Sequence, residues 1–213
     1  MDSAFPNQKD QAALDILQGA SELFMRYGVK SITMDEIARH LAVSKKTIYQ
    51  HFVDKDELVI SFTQMVLQQQ KTEMMKLEDN GTNVMESLRD ISEFLRHKVC
   101  NINPSLLFDL KKYFPPAWKT FTEYKKNFLK DHLKRILERG MKEGYFRPDL
   151  NMEILSKMRI EQVEMIFNPD VFSESEFDIA EVHMHSFQHF VYGICTLKGH
   201  EEFGRLMEGI SKS

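Results

Sequence analysis

Residues 33–58 read TMDEIARHLAVSKKTIYQHFVDKDEL, and this stretch decides the fold. Ile37, Ala38 and Leu41 recur at helical spacing and mark one apolar face. Val43, Ile48 and Phe52 mark the inner side of a turn and of a second short helix. Between these positions stand Ser44, Lys45, Lys46, Thr47, Tyr49, Gln50 and His51, each able to donate a hydrogen bond. A short helix that carries donors outward and is held by an apolar partner helix fits the major groove of DNA. The pattern is that of a helix-turn-helix, and the rest of the chain must supply what controls it.

The flanking residues sharpen the reading. Upstream, Leu17, Ala20, Leu23 and Phe24 continue the helical spacing, and Gly28 stands where a left-handed C-cap would end that helix. Thr33 with Glu36 three residues on is a capping box. Ser44 is placed to cap the next helix, and Asp54 precedes another. At this point the chain resembles the TetR/AcrR family of one-component transcriptional regulators. The resemblance runs in one register through Ala20, Leu23, Phe24, Gly28, Thr33, Ile37, Ala38, Val43, Ser44, Thr47, Tyr49, His51, Phe52, Lys55 and Leu58. It covers the first quarter of the chain; the remainder fits the family in length and helical character. Two positions depart from the family's pattern, which has Gly where this chain has Ala42 and Lys46. Ala42 would have to hold a left-handed conformation at about 1 kcal/mol. Lys46 adds a cation to the outer face of the second helix.

The chain has 213 residues, 42% of them hydrophobic with 16 Phe and 13 Met, which is ample for a core. Its net charge of −4 argues on its face against nucleic acid. The distribution of that charge points the other way. Residues 1–58 hold seven Lys/Arg and nine Asp/Glu, yet residues 39–55 hold Arg39, Lys45, Lys46 and Lys55 against Asp54 alone. Cations gather where a groove would lie, so non-specific binding should be weak and specific contacts should matter. Cys100 and Cys195, far apart in apolar helical contexts, read as buried reduced thiols. The polar start carries no secretory signal and no apolar run is long enough for a bilayer, so the expected place is the cytoplasm, with no membrane partner.

Periodicity and punctuation predict an all-α protein with helices near 9–27, 34–41, 45–51, 55–78, 83–101, 105–112, 115–143, 151–167, 174–197 and 200–211. The domain reading is a three-helix helix-turn-helix head at 1–54 and a helical ligand-binding and dimerisation domain at 55–213. The helix at 55–78 crosses from one to the other and would transmit a tilt that a flexible linker would not.

Within the head, Thr33 and Ser44 are expected to present backbone N–H groups to phosphates. Tyr49, His51 and Lys55 are placed for backbone contacts, as the family resemblance also implies. Lys45, Lys46, Thr47 and Gln50 are placed for base edges, Gln suiting adenine and Lys guanine. Beyond residue 84, aromatic and Met residues crowd the helices. Phe94, Phe108, Trp118, Phe121, Phe128, Met158 and Phe187 are the candidates to line a cavity for a small hydrophobic or aromatic ligand, with plain core as the alternative for each. Trp118, Phe121, Lys125, Phe128 and His132 fall on one stripe of an unbroken helix. His185 and His189 have the i, i+4 spacing of a metal pair, but no third ligand stands at a matching position, so no metal or other cofactor is expected. No catalytic motif is present.

The expected function is a ligand-responsive, homodimeric DNA-binding regulator, a repressor acting on an inverted-repeat operator. The helices near 151–167 and 174–197 would pair across the twofold axis as a four-helix bundle. The competing class is a helical small-molecule-binding or interaction protein whose head has lost DNA specificity.

Overall fold

The computed structural model describes residues 8–100, 102–173 and 175–210, without the side chains of 8–10, 99–100 and 209–210. The described residues are helical throughout, with one isolated antiparallel bridge between Phe146 and Cys195 and no strand. The helices are α1 (Gln8–Tyr27), α2 (Met34–His40), α3 (Lys45–Tyr49), α4 (Lys55–Asn80), α5 (Val84–Cys100), α6 (Leu106–Tyr113), α7 (Pro115–Tyr124), α8 (Lys130–Lys142), α9 (Met152–Ile166), α10 (Ile179–Ile194) and α11 (Leu197–Ile210). None is long and apolar enough to cross a membrane among the described residues.

Local chemistry explains the boundaries. Gly28 takes φ +81° and its N–H closes on Phe24 O at 3.0 Å, which ends α1. Gly144 takes φ +75° and stops α8 in the same way. Asn151 caps α9 through Ile154 N, and Asp178 caps α10 through Ala180 N at 2.8 Å. That cap is why α10 begins at Ile179 and not at residue 174 as the periodicity suggests. At its other end Cys195 is extended, so α10 stops at Ile194 and α11 starts at Leu197, three residues before its expected start.

The expected single helix over 115–143 is interrupted. Residues Lys125–Leu129 form a π-turn between α7 and α8, with Lys130 N–H bonded to Lys125 O. The stripe of Trp118, Phe121, Lys125, Phe128 and His132 is therefore broken in phase, although Trp118 still packs on Phe121 at 5.1 Å and Phe128 on His132 at 5.5 Å between ring centres.

Contacts divide the chain into two units. The first comprises the described residues of Met1–Leu67 together with those of Asn101–Phe121; the second comprises those of Gln68–Cys100 and Thr122–Ser213. A boundary at residue 54 thus falls inside the first unit, which also gathers α6 and most of α7. The core of that unit includes Phe24, Ile37, Ile48, Leu58 and Phe62, with Leu106, Leu110 and Phe114 added from the later segment. The core of the second includes Met85, Leu137, Phe146, Val191, Ile194 and Phe203. Burying a side chain of this size gives about 1.5–3 kcal/mol, so each unit has its own reason to fold.

Candidate nucleic-acid interface

α2 and α3 are held by their buried faces. Ile37 and Ile48 are fully enclosed, and Ala38 and Phe52 nearly so. The turn between the helices places Ala42 at φ +53°, with Val43 N–H on Ala38 O at 3.0 Å. The left-handed residue expected at Ala42 is present without the glycine that would make it free of strain.

The caps expected from the sequence close as predicted. Glu36 N–H donates to Thr33 Oγ1 at 3.3 Å, while Thr33 N–H donates back to the Glu36 carboxylate at 2.7 Å. Those bonds from the Thr33 backbone and side chain hold the Glu36 carboxyl below its ordinary range. Thr47 N–H donates to Ser44 Oγ at 3.0 Å. The Thr33 amide and hydroxyl are both engaged with Glu36, so a phosphate would have to compete for them.

The outward face of α3 is sorted by what each side chain already touches. Ser44, Lys45, Lys46, Tyr49 and Gln50 are exposed, and Thr47 and His51 are half-buried. Lys45 is paired with Asp35 at 2.8 Å, which raises its pKa. The Thr47 hydroxyl lies 2.8 Å from Ser44 Oγ. Lys46, Tyr49 and Gln50 remain as the outermost groups, side by side on one turn.

Lys55 stands differently from the other candidates. It is half-buried, donates to Lys30 O at 3.3 Å and lies 5.3 Å over the Phe114 ring. Burial lowers its pKa. In this conformation the ammonium is engaged inside the unit and is not held out toward a phosphate.

One feature of the head has no local signal in the sequence. Asp109 of α6 is buried and accepts from Lys30 N–H at 3.1 Å. The Lys30 ammonium donates to Tyr113 Oη at 3.0 Å, which raises the Lys30 pKa and lowers that of Tyr113. Asn103 N–H donates to Met25 O at 2.7 Å and its side chain to Arg26 O at 3.3 Å. The segment leading into α6, and α6 itself, therefore clasp the turn between α1 and α2. The partners are some 80 positions apart, so no periodicity could have paired them.

The candidate ligand residues do not gather in one unit. Phe108, Trp118 and Phe121 belong to the first, and Phe94, Phe128, Met158 and Phe187 to the second. Phe187 is core, packed 6.2 Å from Phe203 between ring centres. Met158 faces outward at 53% exposure, aligned on α9 with Ile154 at 55% and Met165 at 42%. That position is an open apolar stripe rather than an interior wall, which revises the reading of Met158. The three histidines of α10 also separate: His183 is buried, while His185 and His189 are exposed, His185 lying 3.7 Å from Glu181. Among the described residues no three His, Cys, Asp or Glu side chains are grouped to hold a metal ion. Cys195 is buried and its thiol is pushed up to about 11 by burial; the Cys100 side chain lies outside the described residues.

Comparison with known proteins places this geometry. The sequence profile of bacterial regulatory proteins of the tetR family matches residues 16–62. An uncharacterized HTH-type transcriptional regulator, YvaF of Bacillus subtilis, is 27% identical over 155 residues, spanning 71% of this chain and 80% of its own length. The HTH-type transcriptional repressor KstR2 of Mycobacterium tuberculosis is 22% identical over 148 residues, 66% of this chain and 72% of its own. A transcriptional regulator from Saccharomonospora viridis, solved in complex with choline, superposes with a TM-score of 0.71 at 16% identity, over 87% of this chain and 98% of that one.

Proposed function

This chain is a transcriptional regulator of the TetR family and not an enzyme, and from that premise we propose that it acts as a homodimeric repressor which a small molecule releases from an inverted-repeat operator. The observation that carries the reading is the outward face of α3. Lys46, Tyr49 and Gln50 are exposed on a short helix whose other side is locked by Ile48 and whose start is closed by Ser44. Such a face offers Gln50 and Lys46 to base edges and Tyr49 to the backbone. It also disfavours the competing class, because a head without DNA to read has no use for an exposed donor row beside a strained turn.

Two further observations support the finer parts. The open stripe of Ile154, Met158 and Met165 on α9 gives a second copy an apolar surface to cover, and a twofold dimer presents two identical heads to DNA. The clasp of α6 on the α1–α2 turn ties the head to a segment far along the chain. An effector that favours one placement of that segment biases the head by the difference in its affinity for the two states.

Selection from a random duplex pool tests the proposal. Recovered sequences should be inverted repeats with half-sites about one helical turn apart or slightly more. Recovery of single asymmetric half-sites would overturn the dimer, and recovery of no consensus would return the chain to the competing class.

A further inference from the structure

Buried charge in the second unit is handled in two ways. Lys125 is enclosed and meets the Glu164 carboxylate at 2.5 Å. Arg159 of α9 is 5% exposed and meets no carboxylate among the described residues. Its Nη1 donates to Ser186 Oγ at 3.0 Å and to Gln162 Oε1 at 3.4 Å, both neutral. Its Nε and Nη2 donate to no described residue. Phe187 and Phe190 of α10 flank the guanidinium, each with its ring centre 5.6 Å away.

The neighbours repeat the pattern. Ser156, one turn before Arg159 on α9, is 0% exposed, and His183, one turn before Ser186 on α10, is 2% exposed. Ser156 Oγ and His183 Nδ1 have no hydrogen-bond partner among the described residues. Burial, with the Arg159 charge beside it, pushes His183 down to about 4, so the imidazole is neutral near pH 7. Burial lowers Arg159 to about 10, which leaves it a cation there.

A buried cation without a counter-charge is costly, and removing polar atoms from water without a partner adds to the cost. Three such groups on one seam between α9 and α10 are a cost that folding does not require. A guanidinium edge with two free donors matches the two oxygens of a carboxylate. A hydroxyl and a neutral imidazole beside it complete the set. A phosphate carries up to two charges and would leave one uncompensated against a single cation. A quaternary ammonium would meet Arg159 with like charge. The rest of the wall is aromatic and aliphatic, with Phe187, Phe190, Leu155 and Ile160 on the two helices.

We propose that the α9–α10 seam is a head-group site, that Arg159 is its anchor with Ser156 and His183, and that the effector is a carboxylic acid on an apolar body. The proposal rests on reading this chain as ligand-released. It is distinct from the aromatic candidates named from sequence, of which only Phe187 touches the seam.

The test uses the full chain and a panel of acids, benzoate, phenylacetate and decanoate, each beside its primary amide. Thermal melting and release of the selected operator are the readouts. The acids should raise the melting temperature and release DNA, and the matched amides should bind about tenfold or more weakly. Arg159→Met should melt higher than wild type without ligand, since it replaces an uncompensated charge, and should lose the preference for acids. Arg159→Lys should keep the charge without the fork and bind the acids at an intermediate level. Amides binding as well as acids, or acids binding Arg159→Met as well as wild type, would overturn the carboxylate assignment while leaving ligand release intact. An Arg159→Met protein that melts lower than wild type, with Arg159→Lys melting like wild type, would make Arg159 a structural cation. If neither acids nor amides shift melting or release DNA, the ligand-release reading falls and the head-group site falls with it.

Discussion

In the head, polar groups that the fold draws inward find partners. Glu36 closes on Thr33, Thr47 on Ser44, Lys55 on the Lys30 carbonyl, and buried Asp109 on the Lys30 amide. At the α9–α10 seam the opposite holds: Ser156 and His183 are enclosed with an atom unbonded among the described residues, and Arg159 is enclosed without a carboxylate. The contrast separates two kinds of site. DNA meets a surface, so the head can satisfy its interior and keep Lys46, Tyr49 and Gln50 in water until the groove arrives. A small molecule enters an interior, so the groups that recognise it must be desolvated in advance, and stability bears the cost.

The largest expected effect tests whether the head's satisfied interior is what holds it. Phe24 is fully buried and packs edge-on against Phe62 at 5.3 Å. Phe24→Ala should cost about 3–5 kcal/mol, measured by urea or thermal unfolding, and operator binding should fall with it. A loss under about 1 kcal/mol would show that the head does not depend on that packing.

The next prediction concerns acid. In the unfolded chain His183 takes a proton near 6.5, but in the folded chain only near 4. Between those values the unfolded state binds more protons, so stability must fall as pH falls through the window, by roughly 1 kcal/mol per unit at most. His132 has the same sign: burial lowers its pKa, against the pull of Glu78, while Arg135 lowers it further. Melting followed from pH 7.5 down to 4.5 should steepen below 6.5, and His183→Gln should flatten part of that slope. An unchanged slope in the variant would place the titration elsewhere.

On the DNA side the effects are smaller and differ in kind. Gln50→Ala should relax base preference at one position of each half-site, at about 1–3 kcal/mol. Lys46→Ala should lower the salt slope of binding by about one unit. Lys55→Met should change that slope less than Lys46→Ala does, because its ammonium is already engaged at the Lys30 carbonyl. Equal slopes for the two variants would mean that Lys55 swings out on binding. The smallest effect is at the turn: Ala42→Gly relieves φ +53° but frees the unfolded chain. It should stabilise the head by less than about 1 kcal/mol, read as a small rise in melting temperature; a fall would show that the turn tolerates alanine without strain.

The same contrast explains what the sequence could say. The head is written locally: the capping box, the Ser44 cap, Gly28 and the left-handed Ala42 each rest on residues a few positions apart, and the structure has them all. The roles on α3 were legible as a set of donors, but not the internal pairs of Lys45, Thr47 and Lys55, because those depend on rotamers and on Lys30 and Asp35 approaching in space. In the second unit the helices were legible and the seam was not. Arg159, Ser156 and His183 look like ordinary solvated positions until α9 and α10 are packed together. The α6 clasp failed to appear for the same reason, since Asp109 and Lys30 are related only through the fold.

The π-turn at Lys125–Leu129 has an evolutionary consequence. It holds one residue more than an α-helical turn, so removing any one of the five would restore a regular helix and rotate all that follows by about 100°. His132, which accepts or donates at Glu78 with 2.8 Å between the atoms, would leave that partner. A relative with an uninterrupted helix here can be aligned only across a one-residue gap. Lineages that gained or lost that residue would then have exchanged, in one step, the whole set of α8 side chains turned toward the interior.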